Sequence, residues 1–281
     1  MNESTPRQKP RVKRGTPRSG KPTLRTIAEM TGLATTTISR ALNNAPELSQ
    51  ETRERVQRIA AEIGYVPDRT ALRLKTGRTH VVSLILDPHD EILNFGQSMV
   101  SGLSAAFRGT PYHLVITPGG GPSPLDPVNY ILRNRMADGV IFSRTEPDDA
   151  RVKLLVENDF PFVCHGRTEL GIPHPYVDYD NFSFAYAAAR RLAAKGRRRI
   201  SMIGVNPRYT FGGHLRAGLA QAAAETGIAC EIETRVTLDD KPEDIRLAIM
   251  ERIDEGGPPD GYVCPGDAVA LGVIAGLVDS G

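Results

Sequence analysis

Cysteine is scarce in this chain. The three residues, Cys164, Cys230 and Cys264, are odd in number, widely spaced and form no Cys-x-x-Cys pair. That pattern excludes a disulfide framework and a cysteine-based metal site, and is read as buried thiols. Long apolar runs are missing as well. None approaches the roughly 18 residues a membrane helix needs, and no signal-peptide core follows the basic N-terminus, so a cytoplasmic protein away from the membrane is expected. Catalytic signatures are equally sparse. There is no Gly-x-Ser-x-Gly elbow, no His-Glu-x-x-His and no dinucleotide fingerprint after a strand, and the six histidines are scattered. Gly119-Gly120-Gly121 is not followed by the Gly-Lys-Ser/Thr of a phosphate loop and reads as a turn. Neither catalysis nor a resident metal or cofactor is expected.

What is present is an uneven charge. The formal net charge of +2 conceals two opposite parts: through Arg78 there are 16 Lys and Arg against 7 Asp and Glu, and beyond it 19 against 26. A basic head on an acidic body is the footprint of a polyanion-binding module joined to something that need not touch nucleic acid. Much of the basic excess lies in a Pro/Arg/Lys/Gly tract with no apolar period. Residues 1–21 are therefore read as a disordered tail, either a solvated extension or a supplementary phosphate-binding arm.

Residues 23 to 43 have the layout of two short helices around a glycine. Thr23 is placed to cap the first, whose inward face is Leu24, Ile27 and Ala28, and Gly32 breaks it. The second buries Leu33, Ile38, Ala41 and Leu42, leaving Thr36, Arg40 and Asn43 on the opposite face. That face is polar and able to bond base edges and phosphates. By itself the pattern also suits an ordinary helical core. A third helix follows, capped by Ser49, with Val56, Ile59, Ala60 and Ile63 on one side and Gly64 at its end. The segment from Tyr65 to Arg78 is basic and leads into a strand-like run.

In this order the pieces resemble the N-terminus of the lac repressor (LacI) family of bacterial transcription regulators. They are Thr-Ile-Ala-Glu at 26–29, Thr-Ile-Ser-Arg-Ala-Leu-Asn at 37–43, Thr-Arg-Glu-Arg-Val at 52–56 and Gly-Tyr-Val-Pro at 64–67. The resemblance runs over essentially the whole chain after residue 21. It implies a small all-α helix-turn-helix DNA-binding domain at 22–66, a hinge helix at 67–78 and, at 79–281, an α/β, two-lobed, periplasmic-binding-protein-like effector domain that also dimerises. Thr35, Thr36, Arg40 and Asn43 would then face the major groove or its flanking phosphates, with Thr37 and Ser39 holding phosphates or packing. Leu74 matches the leucine that wedges into the minor groove, with Ala71 one turn earlier; alternatively, Leu72 and Leu74 seal the domain junction. Two departures stand out. Ala34 occupies the usual capping serine, so the second helix is expected to start at Thr35 or to be less firmly held. Asp68 replaces a frequent asparagine.

Beyond Arg78, short β-branched runs alternate with helical stretches. Strands are expected near 81–86, 113–117, 140–142, 162–164, 200–203 and 262–264, with helices near 95–107 and 128–135. Ligands of such parallel sheets sit outside the carboxyl ends of the strands. Asp267, in Pro-Gly-Asp-Ala-Val-Ala-Leu-Gly, follows a strand and resembles a family aspartate that bonds ligand hydroxyls; it equally suits a helix cap. His165 and Arg167 end another strand and suggest a ligand with carboxylate, phosphate or hydroxyl acceptors. Ser143 and Asp178 are further candidates. The loop 209–214 brings His214 and Arg216 beside Leu215, which stands where relatives place an effector-binding arginine.

The expected protein is a ligand-responsive, sequence-specific transcription regulator, a repressor acting as a homodimer on a near-palindromic operator, with a sugar or sugar derivative as effector. The alternative is a small-molecule-processing α/β enzyme with an incidental basic N-terminal domain. The chain stops at Gly281, where the resembled family continues for further strand and helix pairs, so an incomplete C-terminal body is expected.

Overall fold

The computed structural model describes residues 21–68, 73, 74, 76–86 and 95–281. Residues 1–20 of the expected tail, and Ala71 with much of the expected hinge helix, lie outside the described residues. The chain divides into two compact units, with the boundary between Gly77 and Arg78.

Among the described residues of the first unit, three helices form a cluster. Helix α1 (Leu24–Thr31) starts at a capping box in which Thr23 and Thr26 exchange side-chain and backbone bonds, and ends at Gly32 with φ +73°. Helix α2 (Thr35–Leu42) starts from Ala34, which contributes no side-chain cap. Helix α3 (Gln50–Glu62) is capped by Ser49 through the Thr52 amide. Ile27, Ile38, Ala41, Val56 and Ala60 are buried together, with Leu24, Leu33, Leu42 and Ile59 packed around them. Long-range bonds tie the helices: the Arg55 guanidinium donates to the Thr31 carbonyl, and the Gln57 amide donates to the Ala41 carbonyl and the Asn44 side chain.

The second unit carries two parallel sheets. The first holds β1 (Val81–Leu86), β2 (His113–Pro118), β3 (Gly139–Ser143), β4 (Phe162–His165) and β5 (Tyr176–Val177), in the order β2-β1-β3-β4-β5. Its crossovers are α4 (Phe95–Phe107), α5 (Asp126–Asn134) and α6 (Ala150–Glu157). The second holds β6 (Arg199–Gly204), β7 (Ala229–Thr237) and β8 (Gly261–Val263), in the order β7-β6-β8. It packs with α7 (Asn181–Ala194), α8 (Thr210–Thr226), α9 (Pro242–Asp254) and α10 (Asp267–Asp279). Each sheet has its own apolar core, one around Phe142, Ile131 and Leu155, the other around Ile200, Met202, Leu215 and Ile249.

Two strands escaped the sequence pattern. β5 has only two residues, and β7 interleaves Glu231, Glu233 and Arg235 with its apolar positions because it is an edge strand. The expected loop at 209–214 is also corrected: from Thr210 it is helical, so His214 lies inside α8. The helix starts early because the Thr210 amide and hydroxyl both donate to the Thr145 carbonyl. That contact joins the two halves of the unit, as do the Arg208–Glu146 and Arg144–Asp239 ion pairs.

Candidate functional site

On the first unit the second helix presents its polar face outward. Thr35, Thr36, Arg40 and Asn43 are exposed, whereas Thr37 and Ser39 are half-buried. The difference follows from the period: Ile38 and Ala41 are fully buried, and Thr37 and Ser39 flank that buried stripe. Asn43 ends the helix and its side-chain amide donates to the Ser39 carbonyl at 2.7 Å. The Arg40 guanidinium is ion-paired with Glu47, a partner the sequence pattern did not single out. Leu74 is 84% exposed.

On the second unit a cleft of about 540 Å³ opens where strand ends of both sheets converge. Ser143 at the end of β3 and His165 at the end of β4 line it from the first sheet, and Pro265, Gly266 and Asp267 line it after β8. Asp178 to Asn181, the crossover between the two sheets, form another wall. Of the expected ligand residues, Ser143, His165, Asp178 and Asp267 thus meet at one cavity. Arg167 and His214 are not among its lining residues.

The reason for Arg167 is local. Gly166 turns the chain at φ +108°, where a side chain would lie 2.5 Å from the Thr145 hydroxyl, and that hydroxyl donates to the Arg167 carbonyl. The Arg167 Nε then donates to the Asp178 carboxylate at 2.8 Å. A side chain expected to meet the carboxylate, phosphate or hydroxyl acceptors of a ligand is held by a carboxylate of the chain. Asp267 is the first residue of α10, whose N-cap is Gly266, so it does not act as the cap. Burial lowers the His165 pKa below its ordinary value, against the opposing pull of Asp178.

Several lining residues carried no sequence motif. Arg144, at the end of β3, faces the cleft and pairs with Asp239, while its guanidinium lies 5.3 Å from the Tyr209 ring centroid. Tyr179, Phe184 and Phe211 supply aromatic surface and Leu238 aliphatic surface, to which Leu215, at the position where relatives place an arginine, adds. The strand end bearing Ser143 and Arg144 is fixed from behind by Arg151, which donates to both their carbonyls and to the Asp149 carboxylate. Aromatic faces beside convergent carboxylates, amides and hydroxyls suit a polar ligand with apolar ring faces. Among the described residues no cluster of His, Cys, Asp or Glu is arranged to hold a metal ion. No helix among them is long and apolar enough to cross a membrane.

Comparison with known proteins gives the same division of labour. Residues 23–68 match the family of bacterial regulatory proteins of the lacI type, and residues 79–281 match the periplasmic binding proteins and sugar binding domain of the LacI family. The HTH-type transcriptional regulator AglR of Rhizobium meliloti (strain 1021) is 32% identical over 92% of this chain and 73% of its own length. Among solved structures, a transcriptional regulator CelR–cellobiose complex is 27% identical, with a TM-score of 0.61, over 92% of this chain and 79% of that one. A lac repressor dimer bound to operator and the anti-inducer ONPF shares the fold at 20% identity and a TM-score of 0.78, over 93% and 78% of the two chains.

Proposed function

The chain belongs to the lacI family of bacterial regulatory proteins, and on that premise we propose that it is a repressor whose hold on its operator is set by a small sugar bound in the cleft. It is a DNA-binding transcription regulator with a ligand-binding α/β domain, and its work is not catalysis. The observation that carries the proposal is the division between an exposed polar recognition face on α2 and a separate cleft lined by Asp178, Asp267 and three aromatic rings. The cellobiose complex of a similar regulator supports a sugar as the ligand class.

In this reading Thr35, Thr36, Arg40 and Asn43 enter the major groove, Arg40 reading guanine through two parallel bonds. Thr37 and Ser39 steady the helix against phosphates. Leu74 wedges into the minor groove at the operator centre, with Ala71 beside it. Unstacking one base step costs a few kcal/mol, offset by the contacts that a bent duplex allows. Two chains bind a near-palindrome as a homodimer, acting in the cytoplasm and at the nucleoid. Ser143, His165, Asp178 and Asp267 contact the effector, with Arg167 acting through Asp178 and His214 standing nearby in α8. Effector binding shifts the equilibrium between two arrangements of the halves and, through the hinge, operator affinity.

The test is selection of bound sites from genomic DNA, followed by measurement on the recovered operator. Arg40→Ala is expected to abolish operator retention with ligand binding intact, and Leu74→Ala to reduce specific binding more than non-specific binding. DNA binding that is equal and indifferent to sequence in the parent and both variants would overturn the reading.

A further inference from the structure

We infer that the cleft selects an uncharged polyhydroxylated ligand, a glycoside or oligosaccharide, and rejects phosphorylated and carboxylated sugars. The inference rests on the reading of this cleft as the effector site and adds the charge class of what enters it.

Among the described residues the cleft is lined by one arginine, Arg144, against three aspartates, Asp178, Asp180 and Asp267. Arg144 is already paired with Asp239 at 2.5 Å. Arg167, beside the cleft, already donates from its Nε and its backbone amide to Asp178. Both guanidiniums therefore serve carboxylates of the chain, and an entering phosphate would have to displace them. Burial lowers the His165 pKa, so near neutral pH the imidazole contributes hydrogen-bonding capacity rather than positive charge.

Helix N-termini are the other source of anion affinity. Two of them reach the cleft with a carboxylate already in place. Asp180 caps α7 by accepting the Ser183 amide at 2.9 Å, and Asp267 stands in the first turn of α10. The Thr210 amide at the start of α8 is used by the Thr145 carbonyl. At the start of α4, Gly96 and Ser98 line the cleft with no acidic residue in the first turn. That is where a phosphate would find its best partners, and the charge around the rest of the cavity opposes it.

An uncharged sugar meets none of these penalties. Carboxylates accept from its hydroxyls without any change of partner, and the faces of Tyr179, Phe184 and Phe211, with Leu215 and Leu238, cover its C–H surfaces. Selectivity comes from repulsion of the wrong ligand as much as from attraction of the right one.

The experiment is isothermal titration of the whole chain with matched pairs: glucose, maltose and cellobiose against their 6-phosphates. The neutral member of a bound pair is expected to bind roughly tenfold or more tightly, since a like charge brought into a cleft is strongly disfavoured. Asp267→Asn and Asp180→Asn, the latter keeping a capping oxygen, are each expected to narrow that ratio severalfold, with the circular dichroism spectrum unchanged. Tighter binding of a phosphorylated member by the parent would overturn the charge inference and leave the sugar reading standing. So would a ratio untouched by both substitutions. Failure of every sugar, neutral or charged, to bind would overturn the sugar reading itself.

Discussion

The Arg40 guanidinium on the exposed face of α2 is ion-paired with the carboxylate of Glu47, in the turn before α3. The Glu47 carboxyl is held below its ordinary pKa by its own backbone amide and, against slight burial, by Arg40. The side chain that would read a base is thus aligned by an acid of the same unit before any DNA arrives. Phosphates must compete with that acid, which disfavours loose, non-specific engagement more than a well-formed bidentate contact to guanine.

Glu47→Gln is expected to raise affinity for random-sequence DNA by roughly two- to fivefold, the modest scale of an exposed ion pair, with a smaller gain on the operator. Fluorescence anisotropy on both duplexes at one salt concentration measures it. A specificity ratio that stays constant or rises would show that Glu47 does not restrain Arg40.

Asp149 and Arg151 form a buried pair, 2% and 5% exposed, behind the strand end that carries Ser143 and Arg144. Burial raises the Asp149 pKa, but the Arg151 guanidinium and the amides of Glu146 and Arg151 outweigh it and the net shift is downward. A carboxyl with a lower pKa in the folded state adds stability that is fully present above its unfolded value of about 3.9 and is lost as pH falls through the folded value. Asp149→Asn should cost ~3–5 kcal/mol at neutral pH, because Arg151 is left buried and uncompensated, and should flatten the acid limb of the stability curve. Urea denaturation at pH 7 and at progressively lower pH reads both effects.

Gly218 lies where α7 and α8 touch, and a methyl group there would sit 2.2 Å from the Phe182 carbonyl oxygen. Backbone cannot yield as a flexible side chain does. Gly218→Ala is therefore expected to destabilise the chain by ~1–3 kcal/mol or more through overpacking. Gly213→Ala, in the same helix with open space around it, is the control and should be close to neutral in a thermal melt.

Burial pushes the Cys164 thiol up to about 12 and that of Cys264 to about 11. The thiolate is the reactive form, so neither should label with a thiol reagent at pH 8 in the native protein. Cys230, half-buried and also raised, is expected to react first. Mass spectrometry of labelled peptides, native against denatured, checks the order.

Helices α1 and α3 were legible in the sequence because each carries its own punctuation, Thr23 and Gly32, then Ser49 and Gly64, and α2, which lacks a capping side chain, was legible from its apolar residues at helical spacing. The recognition face was legible for the same reason, since burial of Ile38 and Ala41 fixes where Thr36 and Arg40 point. Edge strands β5 and β7 were not, because one is too short to show a period and the other is diluted by charged side chains, Glu231 and Arg235 exposed and Glu233 buried against Arg235. Arg144, Tyr179, Phe184 and Phe211 were missed because aromatic and basic residues at helix and strand ends look alike whether or not they surround a cavity.

By itself the sequence determined the local order of this protein: which segments coil, which face of each helix is apolar, and a basic head ahead of an acidic body. Those properties depend on neighbours within a few residues, and they are enough to identify the family. The tertiary structure decided which charges remain available. Arg167 reads as a donor to ligand acceptors along the chain, yet it is bound to Asp178, eleven residues on. Arg144 is bound to Asp239, in the other half of the unit. Pairing of charges depends on distance in space, which residue order does not encode, and that pairing sets what the cleft accepts.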